Sequence, residues 1–432
     1  MSQAAPDWRA GLWRGIGHVI APGIRLWLQR RVARGKEDAA RLPERFGSAS
    51  LPRPAGRLIW SHAASVGEAM ALLPLLERLQ TTQPGLTLLL TTGTVTSAAL
   101  VAARAPGLLH QFLPVDLPGP VDAFLNHWRP DLVLWSESEL WPGLLGNLAQ
   151  RGIPALLLNG RLSERSARRW ARLPGTARWL LGAFETIYAQ SAADGERFRQ
   201  LGARDVRCIG NLKQAAPPLP ADVAQLADLQ ATLAQRPRWL MASTHPGDEA
   251  AIITIQRQLA AQIPDLLGLI VPRHPERGAA LAETLRGAGF RVSRRSAGEA
   301  ITADTQIHIA DTLGELGLWY RLCPVVVMGG SLIPHGGQNP LEPARLGAAV
   351  LFGPHMFNFA ELSADLLQRQ AALQAEDAAG IAAGLAELLG NPAKLQAMGA
   401  AGRAYASERR AVLDEIEAAV LQRLEIKKAE EA

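Results

Sequence analysis

Residues 58–79 read LIWSHAASVGEAMALLPLLERL, and this stretch decides the predicted fold class. The apolar run that ends at Trp60 predicts a buried strand, and the small residues after it predict a loop. EAMALLPLLERL then has apolar residues at helical spacing, so Glu68 is predicted to open a helix at the carboxyl end of the strand. Two roles are open for this carboxylate: it caps the helix, or it takes a proton from a ligand.

The same alternation of apolar strand and helix recurs along the chain. Before residue 214 the strand-like runs are GRLIWSHA, LTLLLTTGT, DLVLWSESE, IPALLLNGR, FETIYAQS and VRCIGNLK. After it they are RWLMASTHPGDE, LLGLIVPRHPER, FRVSRRS, CPVVVMGGSL and AAVLFGPHMF. Strands that alternate with helices predict parallel sheets with helices on both faces. We therefore expect two doubly wound, Rossmann-like α/β domains whose ligand-binding loops follow the carboxyl ends of the strands and face one cleft.

The chain has 432 residues, which is too long for one ordinary core. Three prolines, Pro217, Pro218 and Pro220, mark a linker between the two alternating parts. The predicted division is a basic amphipathic segment over 1–47, a first domain over 48–215, a second domain over 216–410, and a C-terminal helix with a solvated tail over 411–432.

The net charge of +5 is concentrated at the N-terminus, because residues 1–47 hold nine Lys or Arg against four Asp or Glu. Seven of its apolar residues interleave with six arginines: the apolar residues are Trp8, Trp13, Ile16, Ile20, Ile24, Trp27 and Leu28, and the arginines are Arg9, Arg14, Arg25, Arg30, Arg31 and Arg34. The uncharged part is too short to span a bilayer, which needs about 20 apolar residues. We expect a segment that lies in a membrane interface; a surface helix packed on the first domain is the alternative. Such dense apolar residues favour lipid over nucleic acid.

Neither a metal site nor a dinucleotide site is predicted. The two cysteines, Cys208 and Cys323, are far apart and are expected to be small buried residues in a reducing compartment. No HxxxH or CxxC occurs, and the histidines are scattered over different loops, where a structural role is the more common one. The GxGxxG fingerprint is also missing, so no cofactor is expected.

The loop SLIPHGGQNPLEPARLG follows a strand of the second half and holds its most informative residues. Gly336 and Gly337 allow a tight turn, and Asn339 with Pro340 predicts a helix start, which suits a phosphate. Glu342 falls in the first turn of that helix. Its carboxylate either binds a ribose diol or is only a favourable charge at a helix start.

Other strand ends supply matching polar groups. In the second half, Arg273 suits a phosphate or a carboxylate, and the backbone around Gly314, Glu315 and Leu316 suits a base edge. In the first half, the charged strand ends are Glu68, Glu137, Glu139, Arg161 and Lys213. Carboxylates in one domain and phosphate-binding loops in the other are what transfer of an activated sugar requires.

Taken in order, these motifs resemble the bacterial 3-deoxy-D-manno-octulosonic acid (Kdo) transferases of lipopolysaccharide synthesis. The motifs are RLPERFG, HAASVGEAMALLPLL, TTGTVTS, ESELWP, NGRLSERS, GNLK, STHPGDE, PRHPER, GEL, GGQNPLEPA and GPHMFNF. Gln338 departs from the resemblance, since the family commonly has His there. The resemblance implies a GT-B fold, with an acceptor-binding N-terminal domain and a donor-binding C-terminal domain that binds a CMP-sugar.

The resemblance also implies roles for particular residues. Glu68 matches the family's catalytic base, while Glu137 and Lys213 match positions that steady the transition state. The CMP-binding loops match Pro272, Arg273, Gly314, Glu315, Leu316, Asn339, Pro340, Leu341 and Glu342.

The resemblance predicts transfer of Kdo from CMP-Kdo, a co-substrate, to a phosphorylated lipid A precursor (lipid IVA), with inversion at the anomeric carbon and without a metal. The expected location is the cytoplasmic face of the inner membrane, reached through the N-terminal segment, and no nucleic acid partner is expected. One alternative is a nucleotide-sugar epimerase of the same fold, which needs no membrane segment. Another is a lipid-binding protein without activity, in which Glu68 would be dispensable.

Overall fold

The structure is a computed structural model. It describes residues 8–137, 139–234 and 236–431, apart from the side chains of residues 8–10, 12, 14 and 426–431. The predicted interface side chains of Trp8, Arg9 and Arg14 therefore lie outside the described part. The chain divides into two compact units, the first formed by Met1–Ala216 with Arg409–Ala432 and the second by Pro217–Glu408.

The first unit contains a parallel sheet of seven described strands, in the order β3-β2-β1-β4-β5-β6-β7. Its elements are α1 (Trp8–Ala33), β1 (Leu58–Ala63), α2 (Val66–Thr82), β2 (Thr87–Thr92), α3 (Val95–Arg104), β3 (Leu109–Phe112), α4 (Pro118–Trp128), β4 (Leu132–Ser136), α5 (Pro142–Gln150), β5 (Ala155–Gly160), α6 (Glu164–Trp170), α7 (Pro174–Leu181), β6 (Thr186–Ala189), α8 (Ala192–Gln200) and β7 (Val206–Cys208). Short 3-10 helices lie at Leu42–Phe46 and Leu212–Ala215.

The second unit repeats this plan, with seven described parallel strands in the order β10-β11-β9-β8-β12-β13-β14. Its elements are α9 (Val223–Leu233), β8 (Arg238–Thr244), α10 (Glu249–Ala260), β9 (Leu267–Pro272), α11 (Gly278–Gly287), β10 (Val292–Arg294), β11 (Ile307–Ile309), α12 (Leu316–Leu322), β12 (Val325–Met328), α13 (Leu341–Arg345), β13 (Ala349–Phe352), α14 (Ala360–Gln368), β14 (Ala372–Gln374), α15 (Ala378–Gly390) and α16 (Pro392–Glu431), which continues into the first unit. Short 3-10 helices lie at Pro275–Arg277, Arg295–Ala297 and Phe357–Phe359.

The predicted doubly wound α/β architecture is confirmed in each unit. Each sheet separates two apolar clusters, because its strands are buried on both faces. The sequence did not predict β3, β11 and β14, which have only three or four residues each. All three, LHQF, IHI and ALQ, also carry a polar residue and lack the apolar run on which strand prediction relies.

Two other expectations need correction. Helix α2 begins at Val66 and not at Glu68, because the side chain of Ser65 accepts a hydrogen bond from the backbone N–H of Glu68 and caps the helix. Cys323 is buried as predicted, but Cys208 is exposed, because it lies on the edge strand of its sheet. The C-terminal helix is part of α16, and Leu424 and other apolar residues of α16 are buried in the core of the first unit.

Helix α1 packs on the first unit through contacts with α4 and α5. Leu28 is buried, whereas Val19 is 80% exposed and Trp27 is 53% exposed, so the helix keeps a partly apolar outer surface. Its last turn carries Arg30 and Arg31. Among the helices that the structure describes, none is long and apolar enough to cross a bilayer.

Candidate functional site

In the first unit, the candidate catalytic carboxylates lie where the strand order reverses. Strands β1 and β4 are neighbours, although two strands and their helices separate them in sequence. Glu68 follows β1 after the short loop 64–65, and Glu137 follows β4 directly. Doubly wound sheets bind ligands at this topological switch point, outside the carboxyl ends of the strands. The topology therefore brings two of the predicted site residues to one edge of the sheet.

Glu68 lies in the first turn of α2 and is only 7% exposed. Its Oε2 accepts a hydrogen bond from the backbone N–H of Ala64 at 2.8 Å, and its Oε1 accepts one from the hydroxyl of Ser65 at 2.8 Å. Burial raises the pKa of Glu68, and these two hydrogen bonds oppose that shift. Each carboxylate oxygen has two acceptor sites, so both oxygens keep capacity for a ligand. The carboxylate of Glu68 therefore stabilises the start of α2 and can still accept a proton from a ligand.

Glu137 and Lys213 form an ion pair in the same unit, with 2.5 Å between Lys213 Nζ and Glu137 Oε1. Glu137 has a left-handed backbone conformation with φ of 59°, which is uncommon outside glycine and is found at functional sites. Asn159, in β5, contacts the segments that carry both members of this ion pair. Its Nδ2 lies 3.4 Å from Glu137 Oε1, and its Oδ1 accepts the N–H of Leu212, which precedes Lys213, at 2.9 Å.

Lys213 also lies next to the start of α2. A methyl group at Gly67 would be 4.0 Å from Lys213 Nζ. The three predicted catalytic residues, Glu68, Glu137 and Lys213, are therefore brought into one cluster. The ammonium group is partly exposed, while the carboxylate of Glu137 is largely covered.

A third carboxylate, Glu139, belongs to the same cluster. Burial raises the pKa of Glu139, and the charges of Glu137 and Glu139 both contribute to the raised pKa of Glu68. Glu139 is among the charged strand ends predicted from the sequence, where no role is assigned to it.

In the second unit, a cavity of about 280 Å³, lined by both polar and apolar residues, opens at the carboxyl ends of the strands. It is lined by five of the predicted donor-site residues: Arg273, Gly314, Leu316, Asn339 and Glu342. The cavity is also lined by Leu219, Pro220, Ser243, Gly317, Tyr320 and Gln338. Tyr320 was not among the predicted site residues, and it lies on the buried helix α12.

Glu342 and Asn339 are held together at the start of α13. Asn339 Nδ2 lies 3.2 Å from Glu342 Oε1, and Asn339 Oδ1 accepts the N–H of Leu341 at 3.1 Å. Burial raises the pKa of Glu342, which the hydrogen bond from Asn339 and the charge of Arg273 oppose. Arg273 itself is exposed at the cavity. An oriented carboxylate and a guanidinium therefore share one cavity.

The other four predicted donor-site residues do not line this cavity. Pro272 ends β9 and is buried, and Pro340 and Leu341 form the buried start of α13. Glu315 binds Arg295 instead, with 2.8 Å between its Oε1 and Arg295 Nη2. That hydrogen bond lowers the pKa of Glu315. These residues hold the loops that shape the cavity.

Gln338, the position that departs from the family resemblance, is in contact with a histidine. Its Nε2 lies 2.8 Å from His245 Nε2, and the His245 ring stacks on His335 at 3.6 Å between centroids. Burial is the main cause that lowers the pKa of His245 to about 4, so this ring is neutral near pH 7. Within the described residues, no group of three or more His, Cys, Asp or Glu side chains could hold a metal ion.

Comparisons with known proteins agree on one family. The family model for 3-deoxy-D-manno-octulosonic-acid transferase (kdotransferase) matches residues 40–216. The chain is 36% identical over 416 residues to the 3-deoxy-D-manno-octulosonic acid transferase of Bordetella pertussis, and the match covers 92% of this chain and 96% of that protein. It is 38% identical over 361 residues to a probable mitochondrial 3-deoxy-D-manno-octulosonic acid transferase of Arabidopsis thaliana, with 81% of each covered.

A solved structure with a similar fold belongs to a different enzyme. UDP-GlcNAc 2-epimerase from Neisseria meningitidis, bound to UDP-GlcNAc, superposes with a TM-score of 0.56 and 13% sequence identity. The likeness covers 84% of this chain and 100% of that one. At such low identity it establishes the fold alone.

Proposed function

The chain belongs to the 3-deoxy-D-manno-octulosonic acid (Kdo) transferase family, and on that premise we propose that it transfers Kdo from CMP-Kdo to a lipid A precursor. The observation that carries the proposal is the cluster of Glu68, Glu137 and Lys213 at the topological switch point of the first sheet, where the strand order reverses. A buried carboxylate at that place suits deprotonation of an attacking hydroxyl, and an ammonium group suits an anionic transition state.

Glu68 is the general base of the proposed reaction. As the acceptor hydroxyl oxygen bonds to the anomeric carbon of Kdo, its proton moves to Glu68, and the bond from that carbon to the phosphate oxygen of CMP breaks. Burial makes the carboxylate more basic, while the N–H of Ala64 and the hydroxyl of Ser65 keep it ionised and fixed in place. A single displacement of this kind inverts the anomeric carbon.

Lys213 and Glu137 act as a pair beside Glu68. The ammonium group of Lys213 offsets negative charge that develops during transfer, and Glu137 holds the ammonium at a fixed place. Asn159 and the left-handed backbone of Glu137 fix that carboxylate in turn.

The cavity of about 280 Å³ in the second unit is the proposed CMP site. Arg273 supplies a guanidinium for the phosphate, and Glu342, oriented by Asn339, accepts hydrogen bonds from the ribose diol. Backbone groups at Gly314 and Leu316 read the base edge. Gln338 lines this cavity at the position where the family commonly has a histidine. Its side chain is hydrogen-bonded to His245, so a hydrogen-bonding group is kept at this position.

The proposed acceptor is a lipid, and helix α1 supports this choice. Its exposed apolar residues and its arginines suit the interface of an anionic membrane, which would bring the enzyme to the cytoplasmic face of the inner membrane.

Mass spectrometry after incubation with CMP-Kdo and a tetraacylated lipid A precursor tests the proposal. We expect the lipid to gain the mass of one or more Kdo residues. The competing epimerase function predicts no gain, and instead predicts conversion of UDP-GlcNAc to its C2 epimer in a parallel reaction. Unchanged lipid in the first reaction contradicts the proposed function.

A further inference from the structure

The first unit contains an apolar cavity of about 410 Å³ that the reaction as described leaves unused. Helix α1 forms one wall, with Trp13, Ile20, Ile24, Trp27 and Leu28. The opposite wall includes Leu113, Val115 and Trp141. A cavity of this size with apolar walls matches the sites that bind small apolar ligands, which have volumes of about 300–1,000 Å³.

The cavity reaches the candidate catalytic carboxylate. Ala64 and Glu139 line it, and the backbone N–H of Ala64 donates to Glu68 Oε2 at 2.8 Å. A ligand in the cavity is therefore held beside the group that we assign as general base.

The charged residues at the cavity are mostly paired with one another or with backbone groups. Glu37 accepts hydrogen bonds from Arg31 at 2.8 Å and from Arg45 at 3.0 Å, which offsets one of the two positive charges. Asp116 accepts the N–H groups of Gly143 at 2.9 Å and Leu144 at 2.6 Å. These pairings leave an interior that favours a hydrocarbon chain over an ionic ligand.

His62 is an exception, because it lines the cavity, is 1% exposed, and its Nε2 has no hydrogen-bond partner among the described residues. The hydroxyl of Thr91 donates to Ser61 O at 3.3 Å, so Thr91 Oγ1 accepts from His62 Nδ1 at 3.0 Å. The hydrogen is thus on Nδ1, and burial lowers the pKa of His62 to about 3, which keeps the ring neutral. Nε2 is then a buried acceptor without a donor, which costs stability unless a ligand supplies one.

We propose that this cavity binds an acyl chain of the lipid acceptor, and that His62 Nε2 accepts a hydrogen bond from a hydroxyl group on that chain. The proposal rests on the proposed function for the identity of the lipid. It assigns α1 a second role beyond contact with the membrane surface, since the helix forms the wall of the acyl site.

Quenching of tryptophan fluorescence by bromine-labelled dodecanoate tests the acyl site, because Trp13, Trp27 and Trp141 line the cavity. We expect saturable quenching in the full-length protein, and loss of that quenching in Ile24→Asp, which places a charge in the wall. Ile16→Asp is the matched control, since Ile16 lies on the same helix, is 40% exposed and is not a lining residue. Equal quenching in all three proteins, or none in the wild type, overturns the proposal.

Competition with unlabelled acids tests the role of His62. We expect 3-hydroxydodecanoate to displace the labelled acid about tenfold better than dodecanoate in the wild type, as one hydrogen bond to a buried acceptor allows. In His62→Phe, which keeps a ring of similar shape, the two acids should compete equally. A wild type without the preference, or the same preference in the variant, refutes the assignment of His62.

A third measurement separates this inference from the proposed function. We expect kcat/KM for Kdo transfer to fall about fourfold for each methylene removed from the acceptor chains, which corresponds to about 0.8 kcal/mol per CH₂. Transfer without any dependence on chain length overturns the acyl site and leaves the proposed function intact. Saturable binding of the labelled acid without any transfer upholds the acyl site and contradicts the proposed function.

Discussion

Burial and hydrogen bonding shift the pKa of the Glu68 carboxyl in opposite directions, and the balance between them suits a general base. Desolvation raises its pKa, while the N–H of Ala64 and the hydroxyl of Ser65 stabilise the ionised form. From the sequence alone, a structural role at the helix start and a role as the base are alternatives for Glu68. In the structure Ser65 caps α2, and the carboxylate of Glu68, in the first turn, accepts hydrogen bonds from Ala64 and Ser65 and keeps further acceptor sites.

At the residue scale, Lys213→Ala is expected to lower kcat about 100-fold with little loss of stability. The ammonium group offsets transition-state charge in the proposed reaction, whereas a partly exposed ion pair contributes only about 0–1 kcal/mol to folding. Lys394→Ala is a matched control, because Lys394 Nζ also lies 2.5 Å from a carboxylate oxygen, that of Glu387, at similar exposure. Steady-state kinetics and urea unfolding of both variants check this. Similar kcat values in the two variants would remove Lys213 from the site.

Asp116 gives a prediction about pH. Burial raises its pKa to about 6 from the ordinary 3.8, so its contribution to stability is full below pH 3.8 and is lost as the pH rises through 6. Between pH 4 and 7 the wild type should therefore lose about 2 kcal/mol relative to Asp116→Asn, which cannot ionise. Urea unfolding across this range measures the difference. The exposed Asp228→Asn serves as the control, and a pH-independent gap between wild type and Asp116→Asn would refute the prediction.

Several site residues could be predicted and others could not. Residues in strand-end loops, such as Arg273 and Glu342, were found because parallel strands present their carboxyl ends at one edge. Tyr320 and His62 were missed as ligand-facing groups, since a buried aromatic ring on an apolar element gives no sign in the sequence that one atom faces a cavity.

At the scale of the element, the N-terminus of α2 combines a stabilising role with a role in the site. Ser65 accepts the N–H of Glu68 as the helix cap, and its hydroxyl also donates to Glu68 Oε1. Thr94 caps α3 in the same way, by accepting the N–H of Ser97, but it does not contact Glu68. The two caps therefore allow a matched comparison.

Ser65→Ala and Thr94→Ala should each cost about 1 kcal/mol of stability, as loss of a helix cap does. Only Ser65→Ala should also shift the pH profile of Kdo transfer to higher pH, because the ionised form of Glu68 loses a hydrogen bond and its pKa rises further. Thermal unfolding and the pH dependence of kcat/KM measure the two effects. An identical pH profile for both variants would argue that the Ser65 hydroxyl does not tune Glu68.

At the scale of the whole molecule, the alternating pattern predicted two doubly wound units, and both are present. The place of α16 was not predictable, because its first part belongs to the second unit and its last part packs in the core of the first. Local periodicity indicates an amphipathic helix, but it does not indicate which of two apolar surfaces that helix covers.

Ile416 tests the packing of α16 on the first unit. The residue is 1% exposed and belongs to the same apolar cluster as β1 and α2. Ile416→Ala should lower the free energy of unfolding by about 2–5 kcal/mol, through lost burial and the cavity left behind. Glu415→Ala, at an exposed position on the same helix, should change it by less than about 0.5 kcal/mol. Urea unfolding that gives equal values for both variants would contradict the packing.

The role of Glu68 as the base in Kdo transfer can be tested by comparing three proteins. Wild type, Glu68→Gln and Glu139→Gln are incubated with CMP-Kdo and a tetraacylated lipid A precursor, and the lipid mass is followed over time. Glu139 is the control because it is a second carboxylate of the same cluster with a raised pKa.

We predict that Glu68→Gln slows the mass gain about 100- to 10,000-fold while it still binds CMP, and that Glu139→Gln retains most of the wild-type rate. Glutamine keeps the shape of the side chain and removes the group that takes the proton. A Glu68→Gln protein that adds Kdo as fast as the wild type would contradict the assignment of the base and leave Glu68 with only a structural role at the start of α2.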